Sequence, residues 1–140
     1  MSLATFFEIE EAITTYVCNG CKLDLPVVEY GFDSGGNKRR SHCRACDKKY
    51  ARQSKELRKT IFPPPEDHEC PICNRTSAEI IGDAKGKIRT STSAWSLDHD
   101  HETGKFRGWI CNKCNLALGN FNDDIIRIRN AVTYLEAHYG

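Results

Sequence analysis

LDHDHETGKFRGWICNKCN, residues Leu97–Asn115, brings two aspartates, two histidines, a turn signal and a Cys-x2-Cys pair into one short run. Trp95–His101 and Lys105–Ile110 flank the turn-like Glu102-Thr103-Gly104, and the segment reads as two β-strands around a glycine-containing hairpin loop. Cys111 and Cys114 follow the second strand at once, and Asn115–Gly119 reads as a short helix. Farther along, Asp123–Tyr139 carries Ile125, Ile128, Val132 and Leu135 at helical spacing behind an acidic start, the pattern of an amphipathic helix. That apolar stripe suits core or dimer contact better than a cofactor site. Upstream, Gly82–Ala94 is rich in Gly, Lys, Ser and Thr and reads as a loop or ragged hairpin.

The pair at Cys111 and Cys114 is one of four. Cys18/Cys21, Cys43/Cys46, Cys70/Cys73 and Cys111/Cys114 all share the same x2 spacing, with 21 residues between the pairs in the first half and 37 in the second. Repeated Cys-x2-Cys is the spacing of zinc knuckles, two pairs closing one four-thiolate site. A chain of 140 residues holds one domain or two very small ones, and units that small need a metal or disulfides to be secure. The first residues, MSLATFFEIEEAITTY, lack a basic start followed by a long apolar run, and no stretch approaches the ~20 apolar residues of a membrane span. A reducing cytoplasm is the expected location; it favours zinc over disulfides. His42 sits beside Cys43, but four cysteines already close a tetrahedral site, so it is read as an ordinary polar residue.

Net charge is only +1, yet residues 38–59 hold ten Lys/Arg against Asp47 and Glu56, a segment of +8 that leaves −7 elsewhere. Asp47–Thr60 contains no Gly or Pro and reads as a helix with Lys48, Arg52, Lys55 and Lys59 along one face. One-signed charge next to a zinc knuckle points to a polyanion, and Arg39, Arg40, Lys48, Arg52, Lys55 and Lys59 are the expected DNA contacts. A solvated helix face is the plainer alternative. Three prolines within 61–67 make a stiff spacer. The expected organisation is therefore a basic zinc-knuckle module (1–60), the proline-rich linker (61–67) and a second zinc-bound module (68–140), a small α+β protein overall.

Zinc at Cys70, Cys73, Cys111 and Cys114 would staple the start of the second module to the junction of strand and helix, holding Asn115 toward the Asp98–His101 strand. Asp98 offers a carboxylate and Asn115 an amide oxygen, hard ligands suited to Mg²⁺ or Mn²⁺ with positions left for water and phosphate. His99 titrates near neutrality and can take a proton from water. Together these are the parts of metal-assisted phosphodiester hydrolysis. Alternating strand geometry is an obstacle: neighbours Asp98 and His99 would point to opposite faces, and His99 and His101 to the same one. The site needs the strand to end or twist there. A polar surface strand, or a second zinc site using His99 and His101, is the plainer reading. Arg107 suits a phosphate clamp or an exposed strand position equally, and Trp95, Phe106 and Trp109 read as hairpin core.

Residues 70–119, and more loosely 70–139, resemble the recombination endonuclease VII family of phage nucleases, within the His-Me finger (HNH-like) superfamily. CPIC, LDHDHETGKFRG, WICNKCN and the following LALG carry the likeness. The resemblance implies a ββα-metal fold with a structural zinc, catalytic Mg²⁺ and cleavage of DNA, notably branched DNA such as Holliday junctions. By position it implies metal binding by Asp98 and Asn115, His99 as general base, His101 on the scissile phosphate or assisting, and zinc on Cys70, Cys73, Cys111 and Cys114. Leu118 departs from the branched-DNA-cleaving member, which has an acidic residue three positions after its metal-binding asparagine; that member's long C-terminal region also has no counterpart here. The expected activity is a metal-dependent DNA endonuclease with two structural zinc ions. One site cuts one strand, so double-strand cleavage would imply a homodimer or sequential nicking. A non-catalytic double-zinc adaptor that only binds nucleic acid is the competing reading; it has no need of Asp98, His99 and Asn115 together.

Overall fold

The computed structural model describes residues 14–36, 38–83 and 93–139. Its contacts divide the chain into compact units 1–49 and 50–140. In the first unit β1 (Thr15–Val17) and β2 (Asp24–Pro26) form an antiparallel hairpin whose loop holds Cys18 and Cys21. Next, β3 (Tyr30–Phe32) pairs with β4 (Arg39–Cys43), which runs directly into α1 (Arg44–Leu57). Buried Tyr30 anchors this unit, its hydroxyl donating to the Tyr16 carbonyl at 2.6 Å.

The second unit repeats the plan with different residues. Cys70 and Cys73 lie in a loop ahead of α2 (Ser77–Asp83), and β5 (Trp95–His99) pairs antiparallel with β6 (Phe106–Cys111). The chain then enters α3 (Asn112–Asn120) and α4 (Ile125–Tyr139). The two knuckle loops carry the same hydrogen bonds. Lys22 N donates to Cys18 O at 2.9 Å and Asn74 N to Cys70 O at 2.8 Å, while Cys18 N reaches Leu23 O and Cys70 N reaches Arg75 O. Lys22 and Asn74 both adopt left-handed backbone, φ 62° and 55°, which closes each loop. In both units the next pair straddles the step from strand to helix: Cys43 and Cys111 end strands, and Cys46 and Cys114 lie in the first helical turn. Sequence similarity does not reveal this repeat because only the cysteines and the backbone turn are shared.

The helices depart from their expected limits for local reasons. α1 starts at Arg44, earlier than Asp47, because the strand feeds it without a loop; past Leu57 the bonds tighten to Lys59 N→Glu56 O and Thr60 N→Leu57 O. α3 likewise starts at Asn112, where Cys111 Sγ accepts from Cys114 N at 3.4 Å. Asn122 and Asp123 are left-handed, both at φ 55°, and break the chain between α3 and α4. Asp124 then caps α4, its Oδ1 accepting from Ile126 N and Arg127 N at 2.8 and 3.1 Å. At the head of α2, Thr76 and Glu79 exchange backbone-to-side-chain bonds as a capping box. No residue of α4 is buried, and Ile125, Val132 and Leu135 are exposed, so its stripe is not core within the described chain.

The core of the second unit is small: Cys70, Ile80, Ala94, Ile110 and Cys111, with Cys73, Trp95, Cys114 and Leu118 packed against it. Leu118 is thus a packing residue. Trp109 is buried, donates from Nε1 to the Phe62 carbonyl at 2.9 Å and meets Phe106 edge-on. Residues 61–67 lie within the second unit; of the loop expected at 82–94, Gly82 and Asp83 instead end α2, and residues 84–92 lie outside the described residues. Among the described residues no helix is long and apolar enough to cross a membrane.

Candidate active site

The hairpin β5–β6 is irregular at one step. Pairing runs Trp95↔Cys111 through Asp98↔Gly108 and then shifts, so that His99 faces Phe106 and Arg107 is the extra residue of a bulge in β6. Asp98 and His99, neighbours on β5, are both buried, at 8% and 6% exposure, and β5 ends at His99. The chain then turns over Asp100, whose Oδ1 accepts from Glu102 N and Thr103 N at 2.9 and 2.7 Å. Gly104 closes the turn at φ +74°, a backbone region that favours glycine. The His99 and His101 rings meet edge to face, centroids 4.9 Å apart.

Among the described residues, the buried Nε2 of His99 has no hydrogen-bond partner. Burial pushes the His99 pKa below the usual 6.5, against the opposing pull of Asp98.

Asp98 faces a guanidinium. Arg107 Nε donates to Oδ2 at 2.7 Å and Nη2 to Oδ1 at 2.9 Å, a bidentate pair, and Nη2 also reaches Asp123 Oδ2 at 3.2 Å. Hydrogen bonding to Asp98 drives the Arg107 pKa upward. Two carboxylates thus converge on one guanidinium at the end of β5, and among the described residues the groups whose geometry could hold a metal ion are the two cysteine clusters. Asn115 is exposed in the first half of α3, a helix that packs against β5 and β6.

Each half supplies one four-thiol cluster, Cys18/Cys21/Cys43/Cys46 and Cys70/Cys73/Cys111/Cys114, with the sulfurs of each cluster within 4.8 Å of one another. All eight cysteines are free thiols. Cys18 and Cys46, and Cys73 and Cys111, place sulfurs 3.8 Å apart, near the roughly 3.8 Å that a tetrahedral zinc with ~2.3 Å bonds imposes. Backbone N–H groups point at the sulfurs, Cys43 N to Cys18 Sγ at 3.2 Å and Cys111 N to Cys70 Sγ at 3.4 Å, favouring thiolates. The donor set and its spacing fit zinc in both places.

The basic residues divide. Arg39 lies over the Phe32 ring at 3.9 Å and donates to the Tyr30 carbonyl, and Arg40 pairs with Asp47 at 2.9 Å. Lys59 pairs with Glu56 at 2.7 Å, whereas Lys48, Arg52 and Lys55 are exposed on α1. Sequence reasoning missed Asp123, which meets Arg107, and Tyr50 and Gln53, which meet the hairpin. No motif marks them, because each pairing joins residues distant in the chain.

Two comparisons bear on this arrangement. In fold, the chain is similar to the ββα-Me type II restriction endonuclease Hpy99I, with 27% identity and a TM-score of 0.51 over 89% of this chain and 66% of that one. It therefore spans about two thirds of that enzyme's length. The family model of recombination endonuclease VII matches residues 45–137, which take in the hairpin, the second cysteine cluster and all of α3. The chain belongs to the recombination endonuclease VII family.

Proposed function

We propose that this protein is a metal-dependent endonuclease that hydrolyses phosphodiester bonds in DNA, duplex or branched. The observation that carries this reading is His99, a buried imidazole whose Nε2 has no partner among the described residues, beside the Asp98 carboxylate at the end of β5. Family membership and the ββα-Me fold support the same reaction class.

In this reading His99 Nε2 takes a proton from the attacking water. Asp98 and Asn115 would hold a divalent ion, Mg²⁺ or Mn²⁺, which when bound would supply Lewis-acid stabilisation of the charge developing on phosphate and leaving oxygen. Arg107, a planar donor fork at the same carboxylate, pairs with a phosphate oxygen of the bound strand. His101 stands beside His99 and assists at the phosphate. Burial of Asp98 and His99 keeps bulk water from competing for both groups. Structural zinc on each cysteine cluster sets the hairpin and helix in register, and exposed Lys48, Arg52 and Lys55 run along the DNA backbone with Arg39, Arg40 and Lys59 adding charge nearby.

The test is conversion of supercoiled plasmid, with a four-way junction in parallel, by purified protein in Mg²⁺ or Mn²⁺ against EDTA. The expected result is metal-dependent nicking, with linear product requiring two copies or two successive cuts. Binding of both DNAs without cleavage in any divalent ion would replace this reading with the non-catalytic adaptor.

A further inference from the structure

Within the second unit, α1 grips the tip of the hairpin through two residues one turn apart. Tyr50 stacks on the His101 imidazole, ring centroids 4.1 Å apart and planes 17° from parallel. Gln53 lies three residues on, on the same helical face, and donates from Nε2 to the His101 carbonyl at 3.4 Å. Its amide also covers the turn: a Cβ on Gly104 would come within 3.1 Å of Gln53 Nε2. The Gln53 Oε1 is buried without a partner among the described residues, so this side chain is held by its donor end and its packing. On its other side His101 meets His99, 4.9 Å between centroids and 68° between planes. Three rings therefore stand in a row, Tyr50, His101 and His99.

We propose that Tyr50 is a positioning residue for the cleavage reaction. Its ring fixes the plane of the His101 imidazole, and the edge contact of His101 in turn fixes the ring of His99, so that Nε2 is presented to water in one orientation. The inference rests on the nuclease reading above and extends it to a residue outside the hairpin. His99 needs such support because, among the described residues, its Nε2 has no hydrogen bond to orient it. Tyr50 stacked on His101, and the edge-to-face contact of His101 with His99, restrict ring rotation without consuming the Nε2 lone pair. A small misplacement of a reacting group costs far more in rate than in binding. The ring, not the hydroxyl, performs this role.

Single-turnover cleavage by Tyr50→Leu, Tyr50→Met and Tyr50→Phe tests this on the full chain with Mg²⁺, beside DNA affinity measured in Ca²⁺. Tyr50→Leu and Tyr50→Met are expected to lose about ten- to hundredfold in rate with affinity within about twofold, while Tyr50→Phe keeps nearly the full rate. Side-chain ¹⁵N spectra of zinc-loaded protein supply a readout independent of activity. In the wild type His99 is expected to give one sharp set of ring signals, and in Tyr50→Leu or Tyr50→Met averaged or broadened ones. Wild-type rates in both ring-less variants would overturn the proposal, as would parallel loss of affinity and rate, or a Phe variant as slow as Leu. Unchanged His99 signals in a folded ring-less variant would overturn it as well. A wild-type protein that cuts no DNA would defeat the nuclease reading instead, and the ring spectra would still decide whether Tyr50 orders His99.

Discussion

His99 and Asp98 share a strand end but meet different surroundings. Burial lowers the pKa of the imidazole, whereas the carboxylate is engaged by Arg107 in a bidentate pair. That ion pair has a measurable consequence. In Arg107→Ala the buried Asp98 carboxylate loses its partner, and stability without divalent ion should fall by about 1–3 kcal/mol. If the carboxylate also binds the catalytic cation, millimolar Mg²⁺ should return part of that loss, because an ion that binds only the folded state stabilises it. Thermal unfolding of wild type and variant, with and without Mg²⁺, checks this. An equal deficit in both conditions would remove Asp98 from the cation site. Leu118 bears on the same chemistry. Packed against the core that includes Ile80 and Ile110, it provides no carboxylate there.

Two elements set the geometry, the bulged hairpin and the cysteine-launched helix. Cys111 has three tasks at once: it ends β6, caps α3 and contributes a sulfur to the second cluster. Cys111→Ser should therefore release zinc from that cluster and unfold the second unit, since structural zinc contributes about 10–16 kcal/mol of binding free energy in small modules. Zinc stoichiometry and circular dichroism check this, and a folded variant that has lost one zinc would contradict it. The hairpin, its turn and both cysteine clusters were legible in the sequence because spacing and turn chemistry are local. The register shift was not. A strand pattern gives alternation, and only the pairing of Asp98 with Gly108 and His99 with Phe106 reveals that Arg107 is the extra residue. The same holds for helix starts: Cys43 and Cys111 belong to strand and helix junction together, so α1 and α3 begin three residues ahead of where composition alone put them.

Across the whole chain, near-neutral net charge conceals a basic segment at 38–59. Its concentration was plain in the sequence, but the division of labour within it was not. Arg39 and Arg40 are engaged with Tyr30, Phe32 and Asp47, while Lys48, Arg52 and Lys55 remain exposed. Reversing charge at those three exposed positions should weaken DNA binding and reduce the slope of log affinity against log salt by about three, at ~0.9 for each phosphate no longer neutralised. Titrations at several salt concentrations check this, and an unchanged slope would remove α1 from the DNA interface. The stacking of Tyr50 on His101 was hidden for a different reason: it joins residues some fifty positions apart and depends on how α1 meets the hairpin turn. The proposed chemistry depends above all on one imidazole, and single-turnover cleavage by His99→Ala, with zinc content and DNA affinity measured on the same protein, addresses it directly. The predicted result is a rate lower by about 10²–10⁴-fold with both zinc ions and affinity retained; cleavage at the wild-type rate would contradict it.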